Sequence, residues 1–173
     1  MELMKRKDVP VELTWDLTAL YDSEAKWQAD VEKIRQLTDE IEKEYRGNLT
    51  TAEAIQGCLN KYRELEQLQI FAGSYCNLAA SVDYSDAALQ ERNAAFSRLA
   101  AQVSSRLSFI DSEIIAQDES LLRQTIAQGG PNQPYLAELL RQKPYQLQPE
   151  TERELAALHP VNKPPYRINN MSN

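Results

Sequence analysis

The sequence predicts an all-α protein: an antiparallel helical bundle built on a long helical hairpin, with short helices towards the C-terminus. Apolar residues recur every three or four positions through most of the 173 residues, as one face of a helix requires. No segment shows a strand pattern that competes with this spacing. The stretch from Thr50 to about Val82 is apolar on several sides, which is typical of a helix buried by several neighbours. It would form a helix roughly 48 Å long, so it is the predicted central element.

Composition limits the class of protein. A chain of 173 residues with 42% hydrophobic residues suits one domain with a real core and excludes global disorder. The formal net charge of −7 argues against nucleic acid or an anionic membrane as a partner, because both would repel the chain. No apolar run approaches the roughly 18 residues of a membrane span. Lys5, Arg6 and Lys7 precede no apolar run, so we expect no secretory signal.

The N-terminal part predicts an extended segment followed by a short helical turn. Pro10 keeps Val9 extended, and Trp15 is a large apolar anchor. Asp16 can cap the turn through its carboxylate. The apolar residues of this turn are Leu17, Leu20 and Tyr21.

The first long helix begins after Asp22 or Ser23, either of which can be its N-cap, and ends at Gly47, which suits a left-handed C-cap. Its apolar stripe comprises Trp27, Val31, Ile34, Leu37 or Thr38, Ile41 and Tyr45. The other face carries an acidic cluster: Asp39, Glu40, Glu42 and Glu44. A metal site is one interpretation of this cluster. We favour a solvated helix face, because hard cations need converging oxygen ligands rather than a run of charges.

The central helix begins at a predicted capping box, in which the Thr50 hydroxyl accepts from the backbone and Glu53 reaches back. Its main stripe comprises Ile55, Leu59, Tyr62, Leu65, Leu68, Phe71, Tyr75, Leu78 and Val82. Its second half adds apolar residues on other faces: Ile70, Ala72, Cys76, Ala79 and Ala80. We therefore expect neighbours to bury several sides of this helix.

A third long helix forms the second arm of the hairpin. The short connection from Asp83 to Asp86 supplies its N-cap and implies antiparallel neighbours. Its stripe comprises Leu89, Phe96, Leu99, Val103, Leu107 and Ile110. The alanines predict close approach to a partner helix: Ala94, Ala95, Ala100 and Ala101. The seven-residue spacing from Leu89 to Ile110 leaves a free coiled coil open as an alternative.

Shorter elements follow. We predict one turn over 112–116, a helix capped by Asp118, and a helix that begins at Pro134 and ends near Lys143. The second of these carries Leu121, Leu122 and Ile126 and stops at Gly129 and Gly130. A last helix runs from Pro149 to about His159. The predicted domain is therefore 1–160, with 161–173 as a linker or tail.

The sequence lacks the residues of a catalytic centre. A zinc site needs several nitrogens or thiolates at defined spacing, whereas His159 is the single histidine. Cys58 and Cys76 would lie about 27 Å apart on one helix, too far for a disulfide, so we expect reduced, inert thiols, which favours the cytosol. A last group of acids spreads over different faces of its helix and favours cap support over acid–base chemistry: Glu150, Glu152 and Glu154. We assign no catalytic or metal-binding residue, and the substrate-binding residues are unknown.

Three blocks of residues follow one another in a specific order. The first comprises Arg6, Asp8-Val9-Pro10, Thr14-Trp15-Asp16-Leu17, Leu20-Tyr21 and Trp27. The second comprises Ser108-Phe109-Ile110 and Glu113-Ile114-Ile115. The third comprises Tyr135-Leu136, Leu139 to Leu147, Glu150, Glu152 to Leu155, and Pro165-Tyr166-Arg167-Ile168. Together the blocks resemble the N-terminal domain of oligoendopeptidase F, a bacterial relative of thimet oligopeptidase.

The resemblance implies part of a zinc metalloendopeptidase that hydrolyses short oligopeptides. In that family, the His-Glu-x-x-His zinc helix lies in a second half that this sequence lacks, so no catalytic or metal residue transfers and the chain alone is expected to be inactive. It would be an excised or naturally truncated domain. The family's N-terminal helices wall a cavity that admits short peptides.

The partners that the resemblance implies are the catalytic half of the same enzyme and short peptides. The composition predicts a cytoplasmic chain with no nucleic-acid or membrane partner. Zinc is implied for the full-length family and not for this chain. The alternative function is a free-standing helical interaction module, which could dimerise through the hairpin.

Overall fold

The computed structural model describes residues 16–82 and 86–145. All the regular secondary structure in these ranges is helical. A 3-10 turn at Leu17–Ala19 precedes the helices, and another at Lys143–Tyr145 follows them. The helices are α1 (Glu24–Tyr45), α2 (Ala52–Val82), α3 (Ala87–Leu107), α4 (Phe109–Ala116), α5 (Glu119–Ala127) and α6 (Gln133–Gln142). No strand occurs among these described residues, so the predicted all-α class is confirmed.

Helix α2 is the centre of the fold. It packs against α1, α3, α5 and the first 3-10 turn, while α1 and α3 also contact each other. The hairpin of α2 and α3 is therefore two sides of a three-helix bundle, and the alternative of a free coiled coil is wrong. The fully buried side chains of the core include Ile34, Ile41, Ile55, Leu65, Ile110, Ile114, Leu122 and Leu136. These come from five of the six helices, which joins the long and short helices in one core.

Most helix starts lie where the sequence predicts them. The Asp16 carboxylate accepts from the Thr18 amide at 2.9 Å, and the Ser23 hydroxyl caps α1. Asp86 accepts from the first amides of α3 at 2.9 and 3.1 Å. Gly47 has φ of 75°, the left-handed conformation expected after α1. Side-chain oxygens thus satisfy amides that a helix leaves unpaired.

The predicted capping box of α2 is wrong by one residue. The hydroxyl of Thr51, not that of Thr50, accepts from the Ala54 amide at 3.2 Å. Glu53 then stands too early in the helix to reach back to the cap, and it is exposed. Two adjacent threonines carry the same hydroxyl group, so the sequence pattern alone does not decide which one caps the helix.

Two other boundaries differ slightly from the prediction. Helix α4 begins at Phe109 rather than at 112, and Pro134 takes the second rather than the first position of α6. Asp118 stands at the N-cap of α5, but its side chain makes no cap hydrogen bond.

The predicted close approach of the α3 alanines is largely wrong. Ala94, Ala95 and Ala101 are exposed, and Ala100 is partly buried. The small residues that permit contact lie on α2 instead. A Cβ atom added to Gly73 would lie 3.0 Å from Cε1 of Phe96. The sequence shows which residues are small. It does not show which of them lie where two helices touch.

Neighbours bury several sides of α2, as predicted, but two of its apolar residues are exposed. Ile70 is 67% exposed and Phe71 is 44% exposed, although both were expected in buried stripes. The reason is that α5 and the α5–α6 loop cover only the N-terminal half of this side of α2. There the Gln56 amide donates to the Thr125 carbonyl at 3.3 Å.

Several predicted features lie outside the described residues. These are the extended segment with its Trp15 anchor, the helix from Pro149 to His159, and the tail at 161–173. The boundary between domain and tail at residue 160 therefore stays a prediction.

Two substitutions distinguish the two candidate contact surfaces. We expect Gly73→Leu to lower the free energy of unfolding by about 1–3 kcal/mol, because the new side chain must displace Phe96. Ala94→Leu should change it by less than about 0.5 kcal/mol, because Ala94 is exposed. Urea denaturation of both variants measures the difference. Equal stability of the two variants would show that α3 does not approach α2 at Gly73.

Candidate functional site

An aromatic and cationic cluster joins α1, α2 and α3 at one end of the bundle. The Trp27 indole nitrogen donates to the Ala72 carbonyl at 3.3 Å. The Arg92 guanidinium lies over the Trp27 ring at 5.5 Å and over the Tyr75 ring at 5.9 Å. Glu24 pairs with Arg92 at 3.0 Å, so the charge on Arg92 has a partner. The cluster cross-links three helices and leaves its polar groups occupied.

The acidic cluster of α1 is divided between two neighbouring helices. Arg106 of α3 binds Asp39 at 2.7 Å and Glu42, while Lys61 of α2 binds Glu44 at 2.6 Å. Hydrogen bonds from these cations lower the pKa of Glu42 and of Glu44. Among the described residues, no group of three or more His, Cys, Asp or Glu could hold a metal ion. The acids therefore act as interhelical ion pairs, a role that their sequence pattern did not reveal.

Cys58 and Cys76 are both buried and unpaired. Burial raises the pKa of Cys58 to about 12 and that of Cys76 to about 11. A thiol becomes a nucleophile only as the thiolate, so these values describe inert core residues. The sequence-based interpretation of both cysteines agrees with this environment. The remaining chemically competent candidates, His159 and the acids Glu150, Glu152 and Glu154, lie outside the described residues.

A small cavity of about 150 Å³ with a mixed lining lies between α2 and the start of α6. Tyr62, Glu66, Asn132 and Tyr135 are among its lining residues. Burial raises the pKa of Tyr62 to about 12, and burial together with a hydrogen bond to Asp111 raises that of Tyr135 further. Both phenols stay protonated at neutral pH. The Tyr135 O–H donates to the Asp111 carboxylate, and neither phenol can act as a base.

The amide of Asn132 closes this cavity on one side. Its nitrogen donates to Gln56 and Asn60, both at 2.9 Å, and its oxygen accepts from Arg63 at 3.3 Å. Asn132 is 5% exposed, so its hydrogen bonds replace those that it would make with water. This network fixes the α5–α6 loop to α2. The sequence gives no periodic signal for it, because the contacts join residues about 70 positions apart.

A wider groove of about 440 Å³ lies between α1 and α3. Arg35, Thr38, Gln102 and Arg106 contribute polar groups to it, beside Leu99 and Val103. The Thr38 hydroxyl already donates to the Ile34 carbonyl at 2.7 Å. The groove offers a mixed surface of moderate size without a converging set of reactive side chains.

The segment from Glu113 onward contains the long-range contacts that hold the short helices. The Glu113 carboxylate accepts from the Gly47 amide at 2.9 Å and so fixes the turn between α1 and α2. The Lys143 ammonium donates to the carbonyls of Ile115 and Gln117 at the end of α4. Two residues of the sequence motifs thus have structural rather than chemical roles. No helix in the described ranges is long and apolar enough to cross a bilayer.

Comparisons with known proteins show that this segment, together with the residues that follow it, is similar to a known family. A family model described as Oligopeptidase F matches residues 113–173. The chromosomal oligoendopeptidase F of Lactococcus lactis subsp. cremoris is 29% identical over 72 residues, which cover 39% of this chain. The crystal structure of a provisionally assigned peptidase from Chlamydophila abortus covers 90% of this chain with a TM-score of 0.73 and 18% identity. At that identity the structural likeness shows the fold alone.

The chain matches only a small part of each relative. The alignment covers 12% of the Lactococcus protein and 27% of the Chlamydophila chain. The findings agree with the family that the sequence motifs indicate.

The thiols give a direct test of the site chemistry. We expect both cysteines of the folded chain to react with a disulfide reagent at neutral pH more than about 100-fold more slowly than after unfolding, because each unit of raised pKa lowers the thiolate fraction tenfold. Stopped-flow absorbance with and without urea measures the rates. A fast native phase that disappears in Cys76→Ser would show that Cys76 is reactive after all.

A pH titration tests the ion pairs of α1. A lowered carboxylate pKa contributes stability above the unfolded-state value, and this contribution is lost as the pH falls through the folded-state value. We therefore expect Glu42→Gln to lower the melting temperature at neutral pH and to match the unsubstituted chain at strongly acidic pH. Glu32→Gln is the control, because Glu32 meets Arg35 only at 4.0 Å. A Glu42→Gln effect that does not depend on pH would contradict the ion-pair role.

Proposed function

We propose, from the similarity of this chain to the N-terminal domain of oligoendopeptidase F-like peptidases, that it forms the cavity wall of a zinc metalloendopeptidase acting on short oligopeptides. In this proposal, the catalytic half of the enzyme lies outside the sequence described here. The helices restrict access to the active site, so that short peptides enter and folded proteins do not. We also propose a cytosolic location, which suits two buried, unpaired thiols.

The observation that carries this proposal is the agreement of two independent comparisons along one chain. A family model described as Oligopeptidase F matches residues 113–173. The fold of a peptidase structure covers 90% of the whole chain. The motifs that resemble oligoendopeptidase F extend from Arg6 to Ile168, so they occur both inside and outside the residues that the family model matches. The family-model match, the structural match and the order of the motifs together support the proposal more strongly than any one of them does.

The chemistry of the described residues supports a wall rather than a reaction centre. The acids of α1 are paired across helices, and the two thiols have pKa values far above neutral pH. Such groups hold a surface in place and do not attack a peptide bond.

The zinc ion that the family implies does not fit the described residues. A zinc site takes three or four nitrogen, sulfur or carboxylate ligands at close range, and no such group is present among them. In our proposal, the metal that the family implies would be held by the catalytic half. The contribution of this chain is steric: it positions and selects the substrate.

Reconstitution tests the proposed wall. We expect this chain alone to bind no stoichiometric zinc and to cleave no bradykinin-like peptide. Coexpression with the catalytic half on a separate polypeptide should give a complex that cleaves the peptide and leaves folded proteins intact. Peptide release measured by liquid chromatography, with casein and a folded protein as competing substrates, provides the readout. A catalytic half with the same activity and the same size limit without this chain would refute the gating role.

The alternative, a free-standing interaction module, has one observation in its favour: Ile70 and Phe71 are exposed apolar residues. It predicts a discrete complex of this chain with itself or with a non-peptidase protein. Sedimentation of the isolated chain distinguishes it, because the proposed wall requires the catalytic half rather than a second copy.

A further inference from the structure

We propose that the segment after Tyr145, which the sequence predicts to be helical from Pro149 to His159, packs into a groove between α5 and the end of α6. We call this groove the exit groove, and its volume is about 410 Å³. The domain would then end with this helix, near the boundary that the sequence predicts at residue 160. The residues that line the exit groove are Glu119, Arg123, Leu140, Lys143 and Pro144.

The exit groove lies where the described part of the chain ends. Lys143 and Pro144 line it, and both belong to the 3-10 turn that follows α6. The Lys143 ammonium donates to two carbonyls at the end of α4, which fixes the position of this turn. Residues 146–148 connect the turn to Pro149, and an extended chain of this length spans at most about 14 Å. A helix that begins at Pro149 must therefore start little more than one helix diameter from the groove.

The predicted helix has an apolar stripe that needs a surface. Leu155 and Leu158 are three residues apart, so they share one side of a helix. A helix shorter than about 12 residues is marginal in water on its own, and in proteins its stability comes mainly from packing of its apolar face. Leu140 in the exit groove packs on the core of the domain but is only partly buried. The two leucines of the segment would cover this residue.

The charges of the segment and of the exit groove are complementary. At about 100° per residue, Glu152 and Glu154 lie on the two sides of the leucine stripe, and Arg153 lies on the opposite side of the helix. The groove has two cations, Arg123 and Lys143, and one acid, which pairs with Arg123. Lys143 is held by carbonyl groups rather than by a carboxylate. In a chain with a net charge of −7, a groove with an excess of positive charge suits this acidic segment.

Cleavage by trypsin tests the packing. Arg153 is a trypsin site inside the segment, and a packed helix must open before the protease can cut it. We expect trypsin to cut after Arg153 in the folded chain at least about tenfold more slowly than in a synthetic peptide of residues 146–160. Mass spectrometry at early times measures the fragments that begin at Glu154.

Three variants identify the exit groove as the site of packing. Arg123→Glu should raise the rate of this cleavage at least about fivefold, because it places an acid against the acidic segment. Arg141→Glu is the matched control: the two arginine side chains are 67% and 70% exposed, and each pairs with a glutamate of its own helix, but Arg141 does not line the groove. Leu158→Asp, which lies well beyond the cut, should bring the rate close to that of the peptide. Circular dichroism checks that each variant folds.

The outcomes decide the inference independently of the proposed function. Slow cleavage that Arg123→Glu and Leu158→Asp accelerate, and that Arg141→Glu does not, supports it. Cleavage of the unsubstituted chain at the rate of the peptide overturns it, because the segment is then unpacked. Slow cleavage that Arg123→Glu leaves unchanged, or that Arg141→Glu accelerates equally, also overturns it, because the contact is then not in the exit groove. Protection that disappears on dilution of the chain would assign the contact to a second copy and overturn it as well.

Discussion

The close approach of three helices at Ala72 and Gly73 is the constraint on which the rest of the bundle depends. On one side, the Trp27 indole of α1 reaches the Ala72 carbonyl, and on the other, Phe96 of α3 lies against the position that a Gly73 Cβ atom would occupy. A side chain at position 73 would have to displace Phe96 of α3. Interiors are packed densely enough that such a shift is transmitted to neighbouring contacts. The groove between α1 and α3 and the ion pairs across them depend on this spacing.

The sequence predicts the helices well because amphipathic periodicity and caps are local signals. Ser23, Gly47 and Asp86 act where their residue types suggest, since each satisfies backbone groups within a few positions. The failures concern neighbours rather than elements. Periodicity assigns Phe71 to an apolar side of α2, but it cannot tell whether another helix extends far enough to cover that side. The same limit explains why Ala94 and Ala95 were expected at a contact and are exposed.

The polar contacts of the candidate site were still less predictable. Glu113 with Gly47 and Asn132 with Asn60 join residues 66 and 72 positions apart, and no short motif encodes such pairs. The family model matches the segment from residue 113 onward, but only the structure shows what Glu113 and Lys143 contact. Glu113 closes the α1–α2 turn, and Lys143 binds the free carbonyls at the end of α4. The segment that resembles a peptidase therefore contributes here by fixing the short helices to the long ones.

The distribution of charge connects the fold to the proposed role. The chain carries a net charge of −7, yet the acids of α1 meet Arg106 and Lys61 on either side of their helix. The second half of α2 carries no charge at all. A uniformly acidic surface would oppose association with any large partner of similar sign, because desolvated like charges repel strongly. The acids of α1 are thus paired with cations of α2 and α3, whereas the second half of α2 has no charged residue. In the proposed role, paired charges would keep the domain dissolved, and an uncharged helix face would not repel a partner of the same sign.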